Sequence, residues 1–168
     1  MKYRALGRSG LAVSEIGFGA WGIGGRTVNQ TSYGETDDRT SRLALARAYD
    51  CGITFFDTSA AYGNGRSETL IGEVLAGVRD KVVVATKAGY EAWDRPPDFS
   101  AAAIVASAER SLGRLRTDYL DVLLLHETDV ELAPEVEALG VRPVAADIVM
   151  SDHAREISLA RAVLGAAA

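Results

Sequence analysis

Short apolar segments alternate with amphipathic segments along most of the chain. The apolar segments are rich in β-branched, aromatic or leucine side chains, which predicts four strands, over residues 16–19, 53–57, 81–86 and 119–125. Apolar residues at helical spacing between them predict three helices, over residues 38–51, 67–78 and 100–115. The strands are apolar on both faces, which is typical of a parallel sheet covered by helices. The pattern therefore predicts an α/β fold.

The predicted helices carry signals at their ends. Ser67 and Ser100 are predicted to cap the second and third helices, because a serine hydroxyl can accept a hydrogen bond from the first turn. Gly52 follows the first helix where a left-handed residue ends a helix. The predicted buried face of the first helix consists of Leu43, Leu45, Ala46 and Tyr49, and that of the second of Leu70, Ile71, Val74, Leu75 and Val78.

Glycines mark two turns near the N-terminus. Extended residues 2–6 and 11–14 flank a turn with glycine at both ends, which predicts a β-hairpin. Residues 17–22 match the G-x-G-x-x-G pattern of dinucleotide-binding loops, but that motif requires a helix to begin at the glycines. The residues that follow do not have a helical pattern, so a plain strand-to-loop turn is favoured over a phosphate loop.

The last quarter of the chain has a weaker pattern. Residues 127–139 are acidic and interrupted by Pro134, so any helix there is short. Residues 144–150 can form a fifth strand, and residues 154–164 can form a further helix with one apolar side.

Composition and charge narrow the possible functions. The 168 residues are 48% hydrophobic and 24% charged, which is typical of a globular domain. The net charge is −5, so the chain lacks the excess of basic residues that is typical of nucleic-acid-binding proteins. The single cysteine, Cys51, cannot form an internal disulfide and is predicted to be a packing residue in a reducing compartment. No apolar run is long enough to cross a membrane and no signal peptide is evident, so we expect a soluble cytoplasmic domain.

Four titratable residues follow the ends of successive predicted strands. Asp57 ends the second strand, Lys87 directly follows the third, Tyr62 lies five residues after Asp57, and His126 follows the fourth strand. Any one of them could have an ordinary structural role, as a turn cap, a packing aromatic, a solvated lysine or a core histidine. Together they indicate an active site, because the carboxyl ends of parallel barrel strands form the rim where catalytic residues lie.

A metal site is not predicted. Neither His126 nor His153 belongs to a paired histidine motif, so a metal-dependent barrel hydrolase is disfavoured.

Four sequence blocks, in order, resemble the aldo-keto reductase superfamily. They cover residues 16–22, 55–68, 85–89 and 111–126, and the likeness extends from Met1 to about Thr128. This resemblance implies a parallel (β/α) barrel of the TIM type and an NADP(H)-dependent enzyme that reduces aldehydes or ketones to alcohols. It implies the catalytic residues Asp57, Tyr62, Lys87 and His126. It also implies that Ala20, Trp21 and Asp57 bind the cofactor.

Each member of this set has an expected role. Tyr62 would donate a proton to the carbonyl oxygen as hydride arrives from the nicotinamide. The Lys87 ammonium would favour ionised tyrosine, Asp57 would hold that lysine, and His126 would polarise the substrate oxygen.

The chain length sets a further expectation. A complete barrel of this type takes about 250 residues, so we expect an incomplete barrel of four to five βα units. Residues 1–128 would be the N-terminal part of the barrel and residues 129–168 a divergent tail. An open barrel exposes strand edges, which favours a homo-oligomer. The alternative is a non-catalytic or inactive truncated module that retains the four residues by descent.

Overall fold

The computed structural model describes residues 1–27, 33–92 and 94–124. The predicted N-terminal hairpin is confirmed: β1 (Tyr3–Ala5) pairs with β2 (Ala12–Ser14) in antiparallel register. Ser14 ties the hairpin to the main sheet, because its amide donates to Thr54 Oγ1 at 3.0 Å and its hydroxyl accepts from the Thr54 amide at 2.9 Å.

The main sheet is parallel, as the two-sided apolar pattern predicts. Its strands lie in chain order: β3 (Phe18–Gly19), β4 (Phe55–Asp57), β5 (Val83–Lys87) and β6 (Val122–Leu124). The register places Gly19 beside Asp57 and Asp57 beside Ala85, so the carboxyl ends of three neighbouring strands meet at one edge. The α/β fold with a barrel-type parallel sheet is therefore confirmed in the described residues.

Three helices connect these strands: α1 (Asp38–Asp50), α2 (Arg66–Leu75) and α3 (Ala101–Leu115). Short 3-10 turns cover Gly22–Gly24 and Ala76–Lys81, the latter interrupted by a kink at Val78. The first follows β3 with no long helix attached, which confirms the plain turn predicted there. The helices and the sheet enclose one core, whose fully buried large side chains include Phe56, Leu45, Leu70, Ile71, Leu75 and Leu115.

The predicted packing of α1 is wrong in part. Leu45 is buried, but Leu43 is 60% exposed and Ala46 is exposed as well. The helix instead buries Ser41, Leu45 and Ala48, because positions three and four apart share a face. Cys51 also differs from its prediction: it lies at the C-terminal cap and is exposed, so it is not a packing residue.

The predicted helix caps have mixed outcomes. Ser100 is confirmed as the cap of α3, since its hydroxyl accepts from the Ala103 amide at 3.3 Å. Ser67 is wrong as a cap, because α2 begins at Arg66 after Gly65, which has a φ of +89°. The Ser67 hydroxyl bonds to the ends of neighbouring strands instead, with consequences for the site described below.

Several of the sequence-based predictions concern residues outside the described ranges. His126 and residues 129–168 lie outside the described residues, so the domain division stays a prediction. Within the described ranges, no helix is long and apolar enough to span a membrane. Self-association also stays a prediction.

Asp37 should make the stability of α1 depend on pH. It accepts hydrogen bonds from the Thr40 amide and hydroxyl, and these bonds hold the pKa of the Asp37 carboxyl below its usual range. A carboxyl of lowered pKa stabilises the fold above its unfolded pKa and loses that effect as the pH falls through its folded pKa. Asp37→Ala should therefore lower the Tm by about 2–4 °C near neutral pH, and the difference should vanish in acid.

Thermal melts followed by circular dichroism across this pH range test the effect. Asp50→Ala is the matched control, because Asp50 ends the same helix and should show no such loss. A Tm difference for Asp37→Ala that persists unchanged in acid would contradict the assignment.

Candidate active site

Asp57 and Lys87 form an ion pair at the carboxyl edge of the sheet. Lys87 Nζ donates to Asp57 Oδ1 at 2.7 Å and to Oδ2 at 2.9 Å, and to the Thr58 carbonyl at 2.8 Å. These acceptors hold the ammonium between the Asp57 carboxylate and the backbone that follows β4. The side chains are 29% exposed for Lys87 and 36% for Asp57, so the pair can be reached from solvent.

Tyr62 lies beside this ion pair. Its ring centroid is 4.9 Å from Lys87 Nζ, within the range of a cation–π contact. The positive charge of Lys87 therefore lies against the Tyr62 ring. Backbone hydrogen bonds hold Tyr62 in the loop after β4. The Tyr62 amide donates to the Ser59 carbonyl at 3.1 Å, and the Tyr62 carbonyl accepts from the Ser67 amide at 3.2 Å.

Two glycines allow the Tyr62 loop to lie against the segment that follows β3. A Cβ on Gly63 would lie 2.1 Å from the Gly24 carbonyl oxygen, and a Cβ on Gly24 would lie 2.8 Å from the Tyr62 carbonyl carbon. Gly63 also has a φ of +64°, which favours glycine. Close contact between the two backbones therefore sets the position of the Tyr62 loop relative to the segment after β3.

Ala20 and Trp21 follow β3 at the same edge. The Ala20 amide donates to the Asp57 carbonyl at 2.8 Å, and the Ala20 side chain is fully buried. Trp21 is 37% exposed, and its ring lies 4.9 Å from the ring of Tyr33, centroid to centroid. Of this pair, Trp21 is partly exposed, whereas Ala20 is buried and anchors the chain to β4.

A buried polar network lies beneath the site, and the sequence patterns did not reveal it. Ser67 Oγ donates to the Ala20 carbonyl at 2.9 Å and lies 2.9 Å from Thr58 Oγ1. Since a serine hydroxyl has one hydrogen, Thr58 is the donor to Ser67. The next residue, Glu68, accepts from Thr86 Oγ1 at 2.5 Å and from Arg114 Nε at 2.5 Å.

One signal in the sequence could have located Glu68. It precedes Ile71, Gly72 and Leu75 by three, four and seven positions, so helical periodicity places it on the buried face of α2. A carboxylate on such a face requires polar partners, and those partners come from β5 and α3. No local pattern identifies residues so distant in the chain.

The structure therefore brings together Asp57, Lys87 and Tyr62, and Trp21 follows the neighbouring strand at the same edge of the sheet. His126 lies outside the described residues, and its place in the site stays a prediction. Among the described residues, no group of three or more His, Cys, Asp or Glu side chains could hold a metal ion.

Comparison with known proteins assigns the family. The model of the aldo/keto reductase family matches residues 15–156. The chain belongs to the aldo-keto reductase family. It is 40% identical over 134 residues to the aldo-keto reductase YhdN of Bacillus subtilis, an alignment that covers 77% of this chain and 39% of YhdN.

Solved structures of aldo-keto reductases share the fold. The holo form of AKR11C1 from Bacillus halodurans superposes with a TM-score of 0.69 at 31% identity, covering 88% of this chain and 51% of that protein. An aldo/keto reductase from Klebsiella pneumoniae, solved in complex with NADP and acetate, has a TM-score of 0.59 at 30% identity, covering 89% of this chain and 50% of its own. The chain thus spans about two fifths to one half of the length of these relatives.

Gly63→Ala should disturb the loop that carries Tyr62. The methyl group would meet the Gly24 carbonyl, and the left-handed backbone would be strained. We expect a loss of about 2 kcal/mol or more in the free energy of unfolding, measured by urea denaturation. Gly77→Ala is the control, because a Cβ there meets no atom within 4 Å, and it should change stability by less than about 0.5 kcal/mol. Equal stabilities for the two variants would contradict the role given to the backbone contact.

Proposed function

We propose that this aldo-keto reductase reduces a small aldehyde or ketone to the alcohol with NADPH, and that Tyr62 supplies the proton. The observation that carries the proposal is the Lys87 ammonium, which Asp57 holds beside the Tyr62 ring at the carboxyl edge of a parallel sheet. In barrels of this type, that edge is where catalytic residues lie. The NADP complex of the Klebsiella relative supports the choice of cofactor.

Proton transfer is the step to which the described residues contribute. The bound cofactor would supply hydride to the carbonyl carbon. Tyr62 would transfer its hydroxyl proton to the carbonyl oxygen, which leaves a tyrosinate, and the charge of Lys87 would stabilise that anion. The tyrosinate would then recover its proton from solvent.

Asp57 has a positioning role in this proposal. Lysine is a flexible side chain with considerable rotamer entropy, and a free ammonium would not stay beside one ring. Two bonds to Asp57 and one to the Thr58 carbonyl fix Lys87 before the substrate arrives. His126 would complete the set by polarising the substrate oxygen.

The described residues fit the nicotinamide end of the cofactor. A Cβ on Gly19 would meet no atom of the described residues within 4 Å, so this part of the chain leaves space at the end of β3. The partly exposed indole of Trp21 lies at the same edge, and a flat aromatic face suits a planar ring. Nearby Lys87 pairs with Asp57 and Arg66 with Asp38, so neither is assigned to the cofactor phosphates.

Tyr62→Phe tests the proton donor. This variant keeps the ring beside Lys87 and removes the hydroxyl, so NADPH binding should persist while kcat/KM for carbonyl reduction falls about 10²–10⁴-fold. Turnover is followed by the loss of NADPH absorbance with a panel of small aldehydes and ketones. Tyr119→Phe is the control. Tyr119 also lies against a cation, since Arg79 is 4.2 Å from its ring centroid. It precedes β6, however, and so lies at the opposite end of the strands from Tyr62. Undiminished reduction by Tyr62→Phe would contradict the mechanism.

An NADPH titration tests the cofactor site. The chain has two tryptophans, Trp21 and Trp93, and NADPH should quench their fluorescence. Trp21→Phe should lose most of this quenching while calorimetry still detects binding, because the phenyl ring keeps an aromatic face. NADH is the comparison for cofactor preference. A folded chain that binds no NADPH would contradict the enzymatic proposal and favour a non-catalytic module.

A further inference from the structure

The site rests on an alternation of side chains along two neighbouring strands. Asp57 and Lys87 extend to the same side of the sheet, where they pair. Thr86 within β5 and Thr58 directly after β4, their immediate neighbours in sequence, are fully buried and bond to α2. Successive strand residues point to opposite faces, so fixing a threonine also fixes the backbone from which its charged neighbour extends.

Two consecutive residues of α2 hold these two threonines. Ser67 bonds to Thr58, and Glu68 bonds to Thr86. Both α2 side chains are completely buried. The helix thus forms hydrogen bonds to β5 and to the residue that follows β4. Each bonded threonine is adjacent in sequence to a member of the ion pair.

Burying the Glu68 carboxylate costs more free energy than burying the Ser67 hydroxyl. A fully buried carboxylate is tolerated only when it is paired and hydrogen-bonded. Arg114 of α3 compensates its charge, and Arg114 also lies 3.3 Å from Ser111 Oγ. This arrangement leaves one carboxylate oxygen bonded to Arg114 and the other to Thr86 at 2.5 Å. The charge pair with Arg114 therefore anchors the oxygen that holds β5.

The geometry points to Glu68 as a positioning residue for Lys87, acting through Thr86 at the end of β5. Its kinetic consequences rest on the proposed reductase function, whereas the placement of Lys87 can be observed without turnover. Glu68 does not touch the substrate side of the site. It determines whether the Lys87 ammonium meets Asp57 and the Tyr62 ring in one arrangement or in several.

Lysine signals in an NMR spectrum provide a direct test. The chain has three lysines, Lys2, Lys81 and Lys87, so ¹³Cε-labelled lysine gives a simple spectrum in which Lys87→Arg assigns the Lys87 signal. In the unsubstituted protein, that signal should be displaced from the other two by the nearby Tyr62 ring. In Thr86→Val, which nearly preserves the side-chain shape, and in Glu68→Ala, it should broaden or move toward the positions of Lys2 and Lys81.

Two further variants separate positioning from general stability. Glu68→Gln can still bond to Arg114 and Thr86, so its Lys87 signal should lie nearer to that of the unsubstituted protein than the Glu68→Ala signal does. Glu73→Gln is the matched control, because Glu73 is an ion-paired glutamate of the same helix, bonded to Arg42 and Arg116. It should lower the Tm without moving the Lys87 signal.

The kinetic measurement adds a second readout. Thr86→Val should lower kcat about tenfold or more, with KM changed by less than about twofold, because a misplaced lysine affects the chemical step rather than substrate binding. If the unsubstituted protein does not turn over, the reductase proposal fails and the NMR comparison still decides the role of Glu68. A Lys87 signal that is unchanged in folded Thr86→Val overturns the inference, whether or not Glu68→Ala folds.

Discussion

The ion pair between Asp57 and Lys87 is the contact on which the candidate site depends. It joins the carboxyl ends of two parallel strands, and it holds a positive charge beside Tyr62. Partial burial makes this pair effective: charges at an intermediate depth are screened less than surface charges, and they avoid the full desolvation cost of the interior. The pair is therefore both a fixed structural contact and a charged group that a ligand can reach.

Polar contacts beneath the pair keep it in place. Ser67 and Glu68 of α2 bond to the threonines that flank Asp57 and Lys87, and Arg114 of α3 balances the buried carboxylate. The apolar face of α2 alone would position this helix loosely along the sheet, because hydrophobic burial is not directional. Hydrogen bonds add the direction that a catalytic geometry requires.

The opposite end of the sheet is fixed by a separate group of contacts. Arg79 donates to Asp121 at 2.6 Å, with both side chains 10% exposed, and Asp121 also accepts from the Val84 amide at 2.9 Å. These residues lie near the amino ends of β5 and β6. The Arg79–Asp121 pair thus stabilises the amino end of these strands, while the Asp57–Lys87 pair and Tyr62 occupy the carboxyl end, where catalytic residues lie in a parallel barrel.

The sequence by itself determined the parallel α/β order, the hairpin, the cap at Ser100, the strand-end positions of Asp57 and Lys87 and the place of Tyr62 in the next loop, because periodicity and turn chemistry are local. Only the tertiary structure decided that Ser67 bonds to strand ends instead of capping α2, that Leu43 is exposed, and that Glu68 meets Thr86 and Arg114. Those outcomes depend on how a helix is rotated against its sheet and on partners 18 and 46 residues away. Local sequence patterns carry no information about such distant pairings, whereas packing and the need to satisfy buried polar groups select them.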